Sequence, residues 1–191
     1  DTIEKLVSED DTIKGMWCMP RYSNPTGTTY SDETIKRIAN MNCKANDFRV
    51  FCDDAYCVHF LNETPEHILN LIEECAKAGN DDRTIMFCST SKITYAGGGI
   101  AACASSKSNI DYILKQFFAQ TIGYDKVNQL RHVKYLKNYS VILEQMKKHA
   151  NILKPKFDVV VNTLSKELYD LDILTWSKPK GGYFISIDTI D

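Results

Sequence analysis

Short apolar runs alternate with amphipathic segments through the first hundred residues, and this alternation restricts the possible folds more than any other feature. Two segments, 32–45 and 65–78, carry apolar residues at helical spacing. Four apolar runs are predicted to be strands, at 13–19, 48–52, 84–88 and 100–104. Strands that alternate with helices predict an α/β layer built on a mostly parallel sheet.

The second half of the chain is predicted to be mainly helical. Pro155 falls late in the last long helix, where it is expected to kink or end that helix. A strand is predicted at 183–187, in the run that begins Tyr183-Phe184. The predicted helices are 109–120, 124–137 and 140–160, with a short one near 165–170.

Charge and composition exclude several classes of partner. The chain has 23 basic and 25 acidic residues and a net charge of -2, which gives no electrostatic reason to expect nucleic acid or an anionic membrane. No apolar run approaches the ~20 residues that a membrane span needs, and no signal peptide is visible. The seven cysteines form no zinc-binding pattern. We therefore expect a cytoplasmic protein without a metal site, and we expect the 191 residues to be part of a longer chain.

Three polar clusters each follow an apolar run directly. They begin at Asn24 (Asn-Pro-Thr-Gly), at Asp53 (Asp-Asp-Ala-Tyr) and at Ser89 (Ser-Thr-Ser-Lys). Taken singly, each is typical of a turn or a solvated loop. In parallel sheets, however, ligands bind beyond the carboxyl ends of strands, so these clusters are expected to meet at one edge.

In this order and spacing, the three clusters resemble the signature of the class I aminotransferases, which are fold type I enzymes that use pyridoxal phosphate (PLP). The resemblance runs from about residue 13 to the end, and Gly181-Gly-Tyr-Phe184 resembles the first strand of the family's small domain. The sequence around Lys92, S-T-S-K-I-T-Y-A-G-G-G, is most similar to the MocR-type or aspartate aminotransferase-like branch.

The resemblance implies a role for each member of the clusters. Lys92 is the lysine that forms the Schiff base with PLP. Asp53 pairs with the pyridinium nitrogen, and it is preferred to Asp54 because the family's aspartate lies three residues before its tyrosine. Tyr56 and Asn24 donate hydrogen bonds to the cofactor's phenolic oxygen. No arginine is identified for the substrate's carboxylate.

The phosphate contacts depart from the family pattern. Ser89 is implied as a phosphate ligand, and Ser91 as an additional one. Most members carry an arginine about eight residues after the lysine, whereas this chain has a glycine run at 97–99 followed by Ile100. A nest of backbone N–H groups is expected to substitute in part.

The resemblance also implies how the chain is divided. Residues 1–138 correspond to part of the PLP-binding large domain, 139–162 to an interdomain helix, and 163–191 to the start of the small C-terminal domain. The full-length protein is expected to be a homodimer. The four histidines, which have no partner at ligand spacing, are interpreted as solvated or core residues: His59, His67, His132 and His149.

The implied function is an aminotransferase that moves an amino group between an amino acid and a 2-keto acid through the Lys92 Schiff base. The 191 residues alone are expected to be inactive. The same residues serve PLP-dependent lyases and decarboxylases, because the protein only selects which bond at the α-carbon breaks. The effector-sensing domain of a transcription regulator and a PLP-free scaffold remain alternatives.

Overall fold

A four-stranded sheet forms the centre of the fold, in a computed structural model that describes residues 1–189. The strand order follows the sequence, the first three strands are parallel, and the fourth is antiparallel to the third. The predicted α/β architecture with a mostly parallel sheet is confirmed. The strands are β1 (Gly15–Cys18), β2 (Arg49–Asp53), β3 (Thr84–Ser89) and β4 (Ala101–Ala104).

Helices account for most of the remaining ordered structure. A 3₁₀ turn at Tyr169–Leu171 follows the last helix, and an antiparallel pair of short strands, β5 (Leu174–Trp176) and β6 (Ile187–Thr189), closes the described part. The helices are α1 (Thr2–Glu9), α2 (Asp32–Asn40), α3 (Leu71–Lys77), α4 (Lys107–Gln120), α5 (Lys126–Leu136) and α6 (Tyr139–Glu167). None of the helices within residues 1–189 combines the length and the apolar content needed to cross a membrane.

Helix α2 begins where the sequence predicts and ends five residues early. The Ser31 side chain caps it by accepting a hydrogen bond from the N–H of Thr34. Beyond Asn40, the backbone turns away because the N–H of Lys44 donates to the carbonyl of Val7, at 2.8 Å. The segment that follows α2 therefore bonds to the region of α1 instead of extending the helix.

The helix predicted at 65–78 begins only at Leu71. The Asn70 side chain caps α3 by accepting from the N–H of Ile72 at 2.9 Å. Just before it, the N–H of Leu69 donates to the carboxylate of Asp32 at 3.0 Å, so Leu69 is held at the start of α2. This long-range contact holds the segment in a non-helical conformation.

Two predictions in the C-terminal part were wrong. Helix α6 continues through Pro155 to Glu167, since Asn151, whose carbonyl the proline leaves unbonded, is exposed and can bond to water. The strand expected at 183–187 lies at β6 instead, because the N–H of Gly182 donates to the carbonyl of His59 and draws that segment away. Of the predicted small-domain segment 163–191, residues 190 and 191 lie outside the described residues.

The two faces of the sheet differ. On one face, α1, α2 and α3 bury an apolar core that includes Ile35, Val50 and Leu71. On the other, Trp17, Phe51 and Phe87 stack nearly parallel, with ring centres 5.8–6.3 Å apart. Trp17 is 63% exposed. A second core, which includes Tyr56, Ile93 and Met146, lies beyond the carboxyl ends of the strands.

Candidate active site

The carboxyl edge of the sheet carries most of the predicted site. Because β1, β2 and β3 are parallel, Asp53 and Ser89 lie at the same edge as the last residues of neighbouring strands, and Asn24 follows β1. Asp53 pairs in register with Phe87, two residues before Ser89. The structure therefore brings the three polar clusters to one edge, as the strand-end rule predicts.

Lys92 lies in a single helical turn that begins immediately after β3. The carbonyl of Thr90 accepts from the N–H groups of Ile93 and Thr94, at 3.0 and 2.9 Å. The Lys92 side chain is exposed, and its Nζ lies 4.7 Å from the centre of the Tyr56 ring. An accessible primary amine is thus held against a buried phenol.

Tyr56 is fixed by its aromatic neighbours. Its side chain is only 2% exposed. The rings of His59 and Phe184 meet it nearly at right angles, with centres 5.5 and 6.3 Å away. These edge-to-face contacts restrict the ring over which the Lys92 amine lies.

The two adjacent acids after β2 have different environments. The Asp53 carboxylate is partly exposed at the sheet edge and accepts from the N–H of Ala55 at 3.2 Å. Asp54 is 8% exposed, and its Oδ1 lies 3.7 Å from Nε of Arg21. Burial raises the pKa of Asp54, and the charge of Arg21 opposes that rise. Asp53 is therefore the acid available to a ligand.

Asn24 is exposed on the turn that follows β1. None of the hydrogen bonds between residues 1 and 189 involves its side chain. The turn itself is held by Gly27, which has a φ of +70° and packs so closely that a Cβ would lie 2.7 Å from Cβ of Pro179. The asparagine thus projects from a turn packed against the C-terminal segment.

The glycine run lies against the predicted phosphate ligands. A Cβ on Gly99 would overlap the hydroxyl of Ser91 and come within 2.7 Å of its backbone nitrogen, so only glycine permits this approach. The carbonyls of Gly98 and Gly99 accept from Nδ2 of Asn128, at 3.0 and 3.4 Å. Ser89 and Ser91 are both partly buried on this side of the Lys92 turn.

His59 and Tyr183 contact Lys92 although sequence reasoning did not select them. Nε2 of His59 lies 3.3 Å from the carbonyl oxygen of Lys92, and the Tyr183 hydroxyl donates to the same oxygen at 3.4 Å. His59 is 3% exposed, and burial lowers its pKa to about 4. The only local signal is its position three residues after Tyr56, within one turn.

The donor set suits PLP. An aldehyde needs an amine, a pyridine nitrogen needs an acid, and a phosphate needs hydroxyl or N–H donors. Lys92, Asp53, Ser89 and Ser91 supply these groups at one sheet edge, and Tyr56 adds a phenol beside the amine. The chemistry of the residues present therefore fits the cofactor.

Comparison with known proteins places the chain among aminotransferases. A sequence model of the family described as aspartate amino-transferase matches residues 1–191. A Mycolicibacterium smegmatis protein that carries the name of an aminotransferase is 45% identical over 98% of this chain and 44% of its own length. An aspartate aminotransferase of Corynebacterium glutamicum is 39% identical over 100% of this chain and 44% of its own.

Solved structures agree with this placement. A crystal structure of an aspartate transaminase from Corynebacterium glutamicum superposes with a TM-score of 0.96 at 39% identity, and covers 100% of this chain and 45% of its own. An α-aminoadipate aminotransferase from Thermus thermophilus, complexed with N-(5'-phosphopyridoxyl)-L-leucine, shares the fold with a TM-score of 0.80 at 21% identity, over 99% of this chain and 46% of its own. The chain spans less than half the length of these proteins.

Proposed function

Because the chain belongs to the aspartate aminotransferase family, whose cofactor is PLP, we propose that the complete protein transfers an amino group from an amino acid to a 2-keto acid. The observation that carries this proposal is the accessible Lys92 amine, 4.7 Å from the Tyr56 ring at the sheet edge that also bears Asp53. The relatives from Corynebacterium glutamicum make aspartate the first amino donor to test.

The residues of the site divide four tasks among them in this proposal. PLP, when bound, supplies an aldehyde for amines and a ring that withdraws electrons from the substrate's α-carbon. Lys92 binds the cofactor covalently, and Asp53 keeps the ring nitrogen protonated. Tyr56 and Asn24 donate to the phenolic oxygen, whereas Ser89 and Ser91 hold the phosphate together with backbone N–H groups.

Lys92 also moves the proton on which the outcome depends. When not bonded to the cofactor, its Nζ would take the proton from the substrate's α-carbon and deliver it to the cofactor carbon that carried the aldehyde. The buried Tyr56 ring limits where that nitrogen can lie. Lyases and decarboxylases use the same residues but break another bond, and the names of the relatives support transamination instead.

We also propose that the complete protein is a cytoplasmic homodimer, by likeness to the family. Light scattering of the complete gene product is expected to give twice the monomer mass. A monomer with full activity would contradict the dimer without affecting the chemistry proposed for Lys92.

The function is tested by labelling and turnover together. Sodium borohydride reduction of the PLP-loaded complete protein, followed by peptide mapping, is expected to find the pyridoxyl group on Lys92. Aspartate with 2-oxoglutarate or another 2-keto acid should give amino-group transfer that Lys92→Ala abolishes. A label on Lys107 or Lys115 instead, or transfer that survives Lys92→Ala, would refute the assignment.

A further inference from the structure

We propose that His132 and Asn128, one turn apart on α5, are positioning residues that set the direction of the Lys92 side chain. Lys92 lies within a loop, residues 90–100, that joins β3 to β4, and these two side chains hold its two ends. The proposal rests on the function proposed above, because it assumes that Lys92 is the reacting amine.

His132 reaches the start of the loop from a buried position. It is 5% exposed, and its Nδ1 lies 2.9 Å from the carbonyl oxygen of Asn128. A carbonyl can only accept, so the proton is assigned to Nδ1, and Nε2 is an acceptor. Nε2 lies 2.8 Å from the hydroxyl of Thr90, which therefore donates to it.

Thr90 is the residue from which the Lys92 turn starts. Its N–H donates to the carbonyl of Ile100 at 2.9 Å, and its hydroxyl accepts from the N–H of Ile100 at 2.9 Å. Its own carbonyl accepts the two N–H groups that close the turn around Lys92. With its hydroxyl proton held by His132, Thr90 has its side chain and its backbone fixed at once.

Asn128 fixes the other end of the same loop. Its Nδ2 donates to the carbonyls of Gly98 and Gly99, next to Ser91. Both side chains project from the same face of α5, because residues four apart lie one above the other on a helix. Helix α5 therefore contacts the loop at both ends through these two side chains, and Lys92 lies between the two contacts.

This hydrogen-bonded arrangement predicts an effect on Lys92 that simple core packing does not predict. A hydrogen bond from Thr90 fixes a direction, so its loss is expected to turn the Lys92 amine from its productive position while the fold survives. A misplacement of ~1 Å at a reacting group can cost about a hundredfold in rate. Packing alone would predict that only the volume of residue 132 matters.

The test uses the PLP-loaded complete protein with three variants. His132→Phe keeps the ring volume but loses the polar contacts with Asn128, Thr90 and Thr94. His132→Gln places an acceptor oxygen where Nε2 lies and can still receive the proton of Thr90. Leu71→Ala, in the core on the other side of the sheet, removes a buried apolar side chain that contacts neither the Tyr56 cluster nor α5, which makes it the control for stability.

We expect His132→Phe to lower kcat about tenfold or more, with the KM for the amino acid changed less than about threefold. His132→Gln should keep kcat within about threefold, and Leu71→Ala should lower Tm without that loss in kcat. Amide exchange of the cofactor-free protein should be faster at Ile93 and Thr94 in His132→Phe. If His132→Phe does not fold, His132→Asn, too short to reach Thr90, replaces it.

Two outcomes would overturn the proposal. One is equal kcat in His132→Phe and Leu71→Ala at equal Tm, and the other is a loss in His132→Gln as large as in His132→Phe. Failure of the proposed function is separate, since it would appear in the wild-type protein as borohydride labelling away from Lys92. The amide-exchange measurement then still tests whether His132 stabilises the loop.

Discussion

The fold places the adjacent acids Asp53 and Asp54 in different surroundings, one partly exposed and one buried. Asp53 remains at the open sheet edge, whereas Asp54 is buried beside Arg21. The interior acid already has a cationic neighbour and a raised pKa, so it is poorly suited to pair with a ligand's ring nitrogen. The structure thus gives a physical reason for a choice that the sequence made only by resemblance.

We predict that Asp53→Asn lowers turnover far more than Asp54→Asn. Loss of the Asp53 charge removes the partner proposed for the ring nitrogen, which should cost about 3 kcal/mol in the activation barrier, or roughly a hundredfold in kcat. Asp54→Asn should mainly change stability, because its neighbour is Arg21. Steady-state kinetics of both variants at equal cofactor occupancy decides this. Equal losses in kcat would show that Asp53 is not the acid that pairs with the ring nitrogen.

His59 is predicted to make stability depend on pH. Its pKa is about 4 in the folded chain against an ordinary 6.5, because burial disfavours the charged imidazolium. Below pH 6.5 the unfolded chain therefore gains a proton that the folded chain does not, and stability falls as the pH drops toward 4. Above pH 6.5 the contribution vanishes.

The expected size follows from the two pKa values. Between pH 7.5 and 4.5, the wild-type protein should lose about 2 to 3 kcal/mol more unfolding free energy than His59→Gln. Urea unfolding of both proteins at the two pH values measures the difference. The comparison cancels the titration of Asp54, which both share; parallel loss in the two proteins would show that His59 is not the source.

Sequence patterns located the residues whose roles are local to one cluster and missed those whose roles come from distant contacts. Lys92 and Tyr56 belong to recognisable clusters, and the structure places them together. His59 touches the carbonyl of Lys92 across 33 positions, and His132 touches Thr90 across 42. Neither separation leaves a periodic trace, so both histidines resembled ordinary core or solvated residues.

At the scale of elements, the same distinction explains which boundaries were predictable. The strands and the start of α2 follow from apolar runs and from the Ser31 cap, which are local. The late start of α3 depends on the bond from the N–H of Leu69 to Asp32, 37 residues away. Long-range partners of this kind override helical propensity, and they cannot be read from a single window of sequence.

The glycine run gives the element-scale prediction. Gly99→Ala should weaken PLP binding about tenfold or more, because the new Cβ would meet the backbone nitrogen of Ser91 and displace the loop that carries Lys92. Gly123→Ala is the matched control, since a Cβ there meets nothing within 4 Å. Equilibrium titration with PLP compares them. Equal affinities would show that the close approach of Gly99 to Ser91 does not matter for the cofactor.

At the scale of the whole molecule, the described residues contain the groups proposed to bind the cofactor, but none of them has been assigned to binding the substrate. The amine, the acid and the phenol lie at one edge, while the stacked rings of Trp17, Phe51 and Phe87 leave the other sheet face apolar and open. Relatives that contain this region are more than twice as long. Because arginine is the residue that best recognises a carboxylate, the arginines of the described residues are the first candidates for binding the substrate.

Four of the five arginines already have protein partners. Arg21 lies beside Asp54, and Arg37 binds Glu4 and Asp1. The other two occupied arginines bond to backbone or amide oxygens, Arg49 to Phe48 and Asn109, Arg83 to Ile38 and Ala39. Arg131 is exposed and stacks over the Tyr95 ring at 5.6 Å. The described part of the chain thus has little capacity to clamp a substrate carboxylate.

We predict that residues 1–191 alone show less than about 1% of the transamination rate of the complete protein. Transfer requires the substrate's Cα–H bond to be held in one orientation, and a carboxylate without a clamp leaves that orientation free, so a loss of about a hundredfold or more is expected. Coupled assays with aspartate and a 2-keto acid, at saturating PLP and with Lys92→Ala as the blank, measure the rate. Steady turnover by residues 1–191 that Lys92→Ala abolishes would contradict this, and Arg131→Ala would then show whether the cation beside Tyr95 is the clamp.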